Sequence, residues 1–172
     1  MFATILVAIG ANLPDAAGRS PLDTCRWAAA QLDGLCGCRL RGLSLWYETV
    51  PVPASDQPLF VNGIAHLSGV VDPNGLLAAL HRVEAVAGRV RGAVDAARVL
   101  DLDLIGMDNL CLAGPQLVLP HLRAAQRAFV LAPLCDVASR WFHPVKRMLA
   151  QDLLANVDKA GTRPLVYECG LG

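Results

Sequence analysis

Runs of hydrophobic residues predict a strand and then a helix in the first part of the chain. The Ile- and Val-rich run Ala3–Ile9 is typical of a buried strand, and residues 10–14 form a turn cluster after it. Ser20 is a predicted N-cap, with Asp23 placed for a capping-box contact. We therefore expect a helix that begins after Ser20 and runs to about Leu32.

The middle of the chain predicts two strands, separated by a loop, and a second helix. The predicted elements are a strand over residues 39–49, a loop over 50–58, a strand over 60–67, and a helix from Asp72 to near Gly88. Alternation in the first of these strands would place Leu43, Leu45 and Tyr47 on one face. The loop follows from Pro51 and Pro53, because proline donates no hydrogen bond to a central strand.

The rest of the chain completes a mixed fold. The predicted elements are a flexible loop over residues 92–97, a strand over 99–105, a shorter strand over 117–119, and helices over 127–134 and 145–156. The segment beyond Asp158 is expected to be loosely held, which divides the chain into a domain over 1–157 and a C-terminal tail over 158–172. The order of elements predicts an α+β fold, a ferredoxin-like antiparallel sheet with helices packed on it in three α/β/α layers.

Composition and charge exclude several classes of protein. A chain of 172 residues with 54% hydrophobic and 17% charged residues is not a disordered segment. Its longest uncharged stretch, Gln57–Val71, is short of the roughly 18 apolar residues that a membrane-spanning helix needs. The 15 basic residues balance 15 acidic ones, so no overall field would attract nucleic acid. We therefore expect neither a membrane nor a nucleic acid as partner.

The N-terminus and the cysteines favour a cytoplasmic location. Residues 1–9 lack the basic region and the cleavage site of a secretory signal. The six cysteines are then expected to be buried, reduced thiols rather than disulfides. Cys36 and Cys38 have no second pair at zinc-site spacing, so we assign them no metal. We predict a monomer whose partners are small molecules.

The sharpest chemical feature is the pair Asp101 and Asp103 in a predicted strand. Residues two apart in a strand point to the same face, so the two carboxylates would lie side by side and repel each other. A hard divalent cation such as Mg²⁺ favours such an oxygen set, completed by water and phosphate oxygens. The plain alternative is a solvent-facing strand edge, where alternation alone produces polar residues.

Arginines cluster just before this pair, at Arg82, Arg89, Arg91 and Arg98. Guanidinium groups bind phosphate oxygens bidentately, which suits a polyanionic ligand held together with a metal. Taken singly, Arg89 and Arg91 are better explained as cations at a solvated helix C-terminus.

Other candidates are weaker when each is taken alone. His121, at the end of a strand, could hydrogen-bond a phosphate or a sugar, although a lone histidine is more often structural. Phe60 and Phe129 could hold a flat heterocycle whose edge Asn62 would recognise. Core packing is the alternative for each ring.

Together these residues give the chain a resemblance to a known family. From about Thr4 to about Leu154 it resembles the 6-hydroxymethyl-7,8-dihydropterin pyrophosphokinases. The matching motifs are, in order, Gly10-Ala11-Asn12-Leu13, Tyr47-x-Thr49-x-Pro51, Gln57-Pro58-x-Phe60-x-Asn62, Glu84-x-x-x-Gly88-Arg89-x-Arg91, Arg98-x-Leu100-Asp101-Leu102-Asp103, Pro120-His121, and Arg127-x-Phe129-x-Leu131-x-Pro133-Leu134. No single motif is decisive, but their common order along the chain is highly specific.

The resemblance implies a kinase of folate biosynthesis that moves pyrophosphate from ATP to 6-hydroxymethyl-7,8-dihydropterin and releases AMP. Asp101 and Asp103 would hold two Mg²⁺ ions and, with Arg89 and Arg98, form the catalytic set. The residues implied to bind ATP are Glu84, Arg89, Arg91, Arg98, His121 and Arg127. The residues implied to bind the pterin are Thr49, Pro51, Val52, Phe60, Asn62 and Phe129.

The chain departs from the family in the loop before Arg98. Family members usually carry an aromatic residue and Gly-Pro there, whereas residues 92–97 form a shortened loop with neither. His81 also stands where glutamine is common. We therefore predict weakened ATP binding or turnover. Two alternatives stay open, a paralogue that binds pterin or nucleotide without transfer and an interaction domain without an active site.

Overall fold

The computed structural model describes residues 3–90 and 97–165 and is built around an antiparallel sheet. Its strands and helices are, in chain order, β1 (Ala3–Ala11), α1 (Pro21–Leu32), β2 (Arg39–Leu43), β3 (Tyr47–Thr49), β4 (Phe60–Gly69), α2 (Pro73–Val86), β5 (Asp101–Met107), β6 (Leu112–Ala113), β7 (Val118–Leu119), α3 (Ala128–Ala138), β8 (Phe142–His143), β9 (Met148–Leu149), α4 (Ala150–Ala155) and β10 (Thr162–Pro164). Short 3-10 helices cover Leu35–Gly37 and Ala124–Gln126. Within the described ranges, no helix is both long and apolar enough to cross a membrane.

The main sheet has the strand order β10-β3-β4-β1-β5, and β2 pairs with the second half of β4. Every pairing in it is antiparallel. The helices α1 and α2 pack on one face, and α3 and α4 pack on the other. The predicted α+β, ferredoxin-like sheet in three α/β/α layers is thereby confirmed.

Strand β1 lies inside the sheet, with buried side chains on both of its faces. Ile5, Val7 and Ile9 enter the core beneath α1 and α2, whereas Leu6 enters the core beneath α3 and α4. Burial on both faces explains why this strand is a continuous hydrophobic run. It is longer than predicted, because its pairing with β4 continues to Ala11 where a turn was expected.

The two helices on one face of the sheet begin where the sequence predicts. Ser20 Oγ accepts a hydrogen bond from Asp23 N at 3.2 Å and caps α1. Asp72 Oδ2 accepts one from Gly75 N at 2.7 Å and caps α2. Each cap satisfies an amide that has no partner inside its helix, which fixes the helix start.

The predicted strand over residues 39–49 is in fact two strands, β2 and β3. Between them Leu45 N donates to Asp136 Oδ2 at 3.1 Å instead of joining the ladder of β4. The predicted common face is therefore wrong, because Leu43 and Leu45 are exposed while Tyr47 is buried.

The predicted helix over residues 145–156 begins late. Only α4 is helical, because the preceding residues form the hairpin of β8 and β9. Arg147 lies in the turn of this hairpin with φ 55°, a left-handed conformation that a helix cannot include. The helix predicted over 127–134 is confirmed as α3 and extends to Ala138.

Two further predictions need correction. The strand predicted over 99–105 is β5, which is displaced by two residues toward the C-terminus. The segment after Asp158 is not loosely held throughout, because β10 pairs with β3 and places Thr162 opposite Thr49. The domain boundary at Asp158 stays a prediction, and residues 92–96 of the predicted flexible loop lie outside the described residues.

The cysteines are only partly buried. Cys25 and Cys38 are buried, as expected, and Cys135 is intermediate. Cys36 and Cys111 are exposed, because one lies in the 3-10 turn after α1 and the other at the start of the β6–β7 hairpin. The expectation of uniformly buried thiols is therefore wrong.

Candidate active site

A cavity opens on the face of the sheet that α3 covers, where β1, β3, β4 and β5 come together. Most of the predicted site residues line it, namely Thr49, Pro51, Val52, Phe60, Asn62, Arg98, Asp101, Asp103, His121, Arg127 and Phe129. Glu84 and Arg89 lie behind the lining, and Arg91 lies outside the described residues. The fold thus gathers residues from six separate segments of the chain.

The two aspartates face this cavity because β5 alternates. Asp101 and Asp103 line the cavity, and Leu102 between them is buried in the core under α1 and α2. In the neighbouring strand, Gly10 lies opposite Asp101 and Ala8 lies opposite Asp103. Small residues opposite the carboxylates leave space for a ligand on this face of the sheet.

Both carboxylate oxygens of Asp101 are paired with arginine. Arg98 Nη1 lies 2.6 Å from Oδ2, and Arg89 Nη1 lies 2.7 Å from Oδ1. The same nitrogen of Arg89 contacts Glu84, which is only 2% exposed. Leu102 N donates to Glu84 Oε1 at 2.7 Å. Glu84 therefore holds Arg89 from behind, and Arg89 in turn holds Asp101.

Burial works against the charged forms of these carboxylates. It raises the pKa of Glu84 to about 7, although the Leu102 amide and Arg89 favour the charged form. It also raises the pKa of Asp103, and the charge of Asp101 raises it further. Two crowded carboxylates are an arrangement that a divalent cation would relieve.

The donor set suits a cation that takes few protein ligands. Among residues 3–90 and 97–165, no group of three or more His, Cys, Asp or Glu side chains could enclose a metal ion. Mg²⁺ commonly binds one or two carboxylates and completes its shell with water and substrate phosphates. Asp101 and Asp103 fit that mode of binding, whereas they do not form a closed site of the structural kind.

His121 is fixed at the wall of the cavity by its own backbone and by its ring. Its amide donates to Ile105 O at 2.9 Å, and its Nδ1 accepts from Arg123 N at 3.3 Å. Burial lowers the pKa of His121, while the carboxylate of Asp103 acts in the opposite direction. In the neutral ring Nε2 then carries the proton and can donate to an anionic ligand.

The amide of Asn62 is oriented by its neighbours. Its Nδ2 donates to Thr49 Oγ1 at 2.7 Å, and Thr49 is buried. A Cβ atom placed on Gly10, which pairs with Asn62 across the strands, would lie 2.7 Å from Asn62 Oδ1. The absence of a side chain at Gly10 is therefore what gives the Asn62 carbonyl its room.

The predicted aromatic residues come together at the same cavity. Phe60 opens β4 and Phe129 lies in the first turn of α3, and both line the cavity. The guanidinium carbon of Arg127 lies 5.3 Å from the centre of the Phe129 ring, within the range of a cation–π contact. Two rings next to a fixed amide can bind the faces and the edge of a flat heterocycle.

Sequence reasoning missed one residue of the site, and it gave no role to two others that belonged to a matching motif. Arg123 lines the cavity two residues after His121, yet no pattern in the sequence distinguishes it from other surface arginines. Asn12 is buried and bonded to segments on both sides of the cavity. Gly10 belonged to the same motif as Asn12, but its close approach to Asn62 is visible only in the fold.

Comparisons with known sequences point to one family. The family model described as 7,8-dihydro-6-hydroxymethylpterin-pyrophosphokinase (HPPK) matches residues 6–139. The chain is 37% identical over 155 residues to 2-amino-4-hydroxy-6-hydroxymethyldihydropteridine pyrophosphokinase of Pseudomonas aeruginosa, covering 90% of this chain and 93% of that protein. The protein of the same name from Haemophilus influenzae is 30% identical over 148 residues, covering 86% and 89%.

Solved structures share the fold at low sequence identity. Wild-type Plasmodium falciparum HPPK-DHPS with STZ-DHP superposes with a TM-score of 0.67 and 12% identity, covering 97% of this chain and 46% of that one. HPPK-DHPS in complex with substrates gives a TM-score of 0.66 and 13% identity, covering 90% and 43%. The chain thus spans less than half the length of these solved chains, and the likeness shows the fold alone.

Proposed function

The chain belongs to the 7,8-dihydro-6-hydroxymethylpterin-pyrophosphokinase family, and we propose that it transfers pyrophosphate from ATP to 6-hydroxymethyl-7,8-dihydropterin in folate biosynthesis, with release of AMP. One observation carries this proposal. A single cavity joins a carboxylate pair and arginines on one side to a fixed amide and two aromatic rings on the other. A triphosphate needs the first set, and a pterin needs the second.

The charged side of the cavity would hold ATP. Asp101 and Asp103 would bind two Mg²⁺ ions, whose charge would neutralise and orient the phosphates. Arg98, His121 and Arg127 line the same side and would donate hydrogen bonds to the phosphate oxygens. Donors that already lie on the cavity wall would reduce the rearrangement of the protein that the chemical step requires.

In this proposal Glu84 and Arg89 act through other residues and do not contact the ligand directly. Because Glu84 is buried behind the cavity, we assign it the positioning of Arg89 rather than a contact with the nucleotide. Arg89 holds Asp101 through Nη1, and its side chain does not line the cavity. The assignment of Arg91 to ATP rests on the family resemblance alone, since this residue lies outside the described ranges.

The other side of the cavity would hold the pterin. Asn62 and Thr49 would recognise its edge, and Phe60 and Phe129 would contact its faces. Pro51 and Val52 would form the rest of the wall. The pterin hydroxymethyl oxygen would then attack the β-phosphorus of ATP in line, as the bond from that phosphorus to the departing AMP oxygen breaks and the hydroxyl proton is released to solvent. Such a reaction needs positioning and charge neutralisation and no covalent intermediate.

Several finer points stay predictions. These are the cytoplasmic location, the monomeric state, and weakened ATP binding or turnover caused by the loop over residues 92–97. The comparisons lend no support to a paralogue that has lost transfer.

The direct test is an assay with the purified protein, ATP, Mg²⁺ and 6-hydroxymethyl-7,8-dihydropterin. We expect AMP to form only when all three are present. Folded protein that forms no AMP would contradict the proposal, and so would AMP formation that does not depend on the pterin. Ordinary ATP affinity and ordinary turnover would instead contradict only the prediction about the loop.

A further inference from the structure

Asp136 joins the last turn of α3 to strand β3 at a point outside the cavity. Both of its carboxylate oxygens accept from the Tyr47 hydroxyl, at 3.2 Å to Oδ1 and 3.1 Å to Oδ2. Its Oδ2 also accepts from Leu45 N at 3.1 Å, at the break between β2 and β3. Tyr47 is buried, whereas Asp136 is exposed. One surface carboxylate therefore holds both the backbone and a buried side chain where β3 begins.

On the helix side, Asp136 shares a face of α3 with Phe129. The two residues are close to two helical turns apart, which corresponds to about 10 Å along the axis. Phe129 lines the cavity, and Asp136 does not. Between them the helix packs into the core through the buried side chains of Leu131 and Leu134. A shift of α3 at Asp136 would therefore also move the ring of Phe129.

On the sheet side, Tyr47 shares a face of β3 with Thr49, because residues two apart in a strand point the same way. Thr49 lines the cavity and accepts from Asn62 Nδ2 at 2.7 Å. Tyr47 pairs with Asn62 across the strands but does not line the cavity. Since α3 packs mainly on β4 and only lightly on β3, apolar packing gives little control over the distance between α3 and β3.

We propose that Asp136 is a positioning residue that sets the distance between the Phe129 ring on α3 and Thr49 on the sheet, and thereby the fit of the pterin. This inference rests on the function proposed above. A flat heterocycle gains dispersion energy only from surfaces in contact with it, because a gap of about 0.5–1 Å already loses a quarter to a half of the attraction. The hydrogen bonds to Asp136 hold the helix and the strand at the required distance, and neither Asp136 nor Tyr47 touches the ligand.

The test measures the affinities for pterin and for nucleotide, each alone, in the variants Asp136→Ala and Tyr47→Phe. Asp136→Ala removes the acceptor for both the Tyr47 hydroxyl and the Leu45 amide. Tyr47→Phe removes only the hydroxyl, and water can solvate the exposed carboxylate that it leaves. Asp33→Ala is the matched control. Asp33 is an exposed carboxylate at the end of α1 that accepts a backbone amide, Leu40 N, at 3.0 Å and does not line the cavity.

We expect the pterin dissociation constant to rise about tenfold in Asp136→Ala and about fivefold in Tyr47→Phe. The dissociation constant of an ATP analogue with a non-hydrolysable α,β bridge, measured with Mg²⁺, and kcat at saturating pterin should each change less than about twofold. The double variant should bind pterin no more weakly than Asp136→Ala does, because both changes break the same contact. Asp33→Ala should bind both ligands as the unmodified protein does.

Unchanged pterin affinity in a folded Asp136→Ala overturns the inference. Equal losses of pterin and nucleotide affinity overturn it as well, and so does a loss of pterin affinity in Asp33→Ala as large as that in Asp136→Ala, since either result would reflect a general loosening of the fold. If Asp136→Ala does not fold, Tyr47→Phe decides, and pterin affinity equal to that of the unmodified protein counts against the inference. Failure of the proposed function would show instead as absent AMP formation in the unmodified protein.

Discussion

The two sides of the cavity are built in different ways. The charged side depends largely on one short segment, since Arg98, Asp101 and Asp103 lie within six residues of chain and the two aspartates share a face of β5. The other side takes Thr49 from β3, Asn62 from β4 and further residues from β1 and α3. The charged side is thus specified by local spacing, whereas the amide and aromatic side exists only when distant segments pack. Substitutions should separate the two sides by their effects on turnover and on pterin affinity.

The largest expected effect is on the charged side. Asp103→Asn keeps the shape of the side chain and removes the charge, so turnover should fall on the order of 10³-fold. Pterin affinity in the absence of nucleotide should change less than about twofold. Steady-state assays and pterin titration check both, with Asp152→Asn in α4 as the control. Near-normal turnover in Asp103→Asn would rule out the proposed pair of Mg²⁺ ions at Asp101 and Asp103.

Asp101 is a less suitable position for this test. Replacing it by Ala would leave Arg89 and Arg98 without their shared carboxylate, in addition to removing a metal ligand. We therefore expect Asp101→Ala to lower the melting temperature as well as turnover, whereas Asp103→Asn should not. The reason is that Asp101 forms ion pairs with both Arg89 and Arg98, which its removal would break.

The second effect concerns stability and pH. Burial raises the pKa of Glu84 from 4.5 to about 7, so the unfolded chain releases this proton at lower pH than the folded one does. The stability of the unmodified protein relative to Glu84→Gln is then greatest below pH 4.5 and is lost as the pH rises through 7. The difference should amount to about 3 kcal/mol across this window.

Urea unfolding of both proteins at several pH values measures this difference. Glu48→Gln is a suitable control, because Glu48 pairs with Arg163 close to the surface. A difference that grows with pH would mean that the contacts with Arg89 and the Leu102 amide outweigh burial. The folded protein would then be more stable with Glu84 ionised than we infer.

The third effect concerns the amide. Asn62→Ala removes the group proposed to recognise the pterin edge and leaves Thr49 without its partner. Pterin affinity should fall roughly 30-fold, while the affinity for nucleotide alone should change less than about twofold. Equilibrium titration with each ligand checks the separation. Equal losses of both affinities would show that Asn62 contributes to nucleotide binding as much as to pterin binding.

The smallest expected effect comes from a single methyl group. Gly10→Ala would place Cβ 2.7 Å from Asn62 Oδ1 and push the amide aside, which should weaken pterin affinity about five- to tenfold. Gly42→Ala in β2 is the matched control, because its Cβ would meet Val137 at an ordinary 3.5 Å. Titration of pterin distinguishes them. Equal affinity in the two variants would mean that the Asn62 amide has more freedom than the structure indicates.

Local patterns predicted most of the fold and much of the charged side. Capping residues fixed the starts of α1 and α2, and alternation placed Asp101 and Asp103 on one face. The errors arose where a partner far along the chain decides whether a segment joins the sheet. Leu45 leaves the sheet because Asp136 accepts its amide, and the C-terminal segment joins the sheet because β3 offers a free edge. Neither partner is visible in the periodicity of the segment concerned.

The same limit applied to the site. The residues alone made Asn62 and Phe129 only weak candidates for binding a flat heterocycle, and the family resemblance then gave them their place in the predicted pterin site. Asn12 was a named member of a motif, yet its bonds to Pro58 and Arg98 join positions far apart in the sequence. Hydrogen-bond partners of this kind become predictable only when the strand order is known.

The pairing of β10 with β3 has a practical consequence. Val50 N donates to Gly161 O at 3.0 Å, and Val50 belongs to the wall of the cavity. The last described segment of the chain therefore supports, from outside the cavity, the loop over residues 50–58. Trimming the protein before Gly161, or attaching a purification tag close to it, would alter how tightly substrate is held while leaving the central sheet in place.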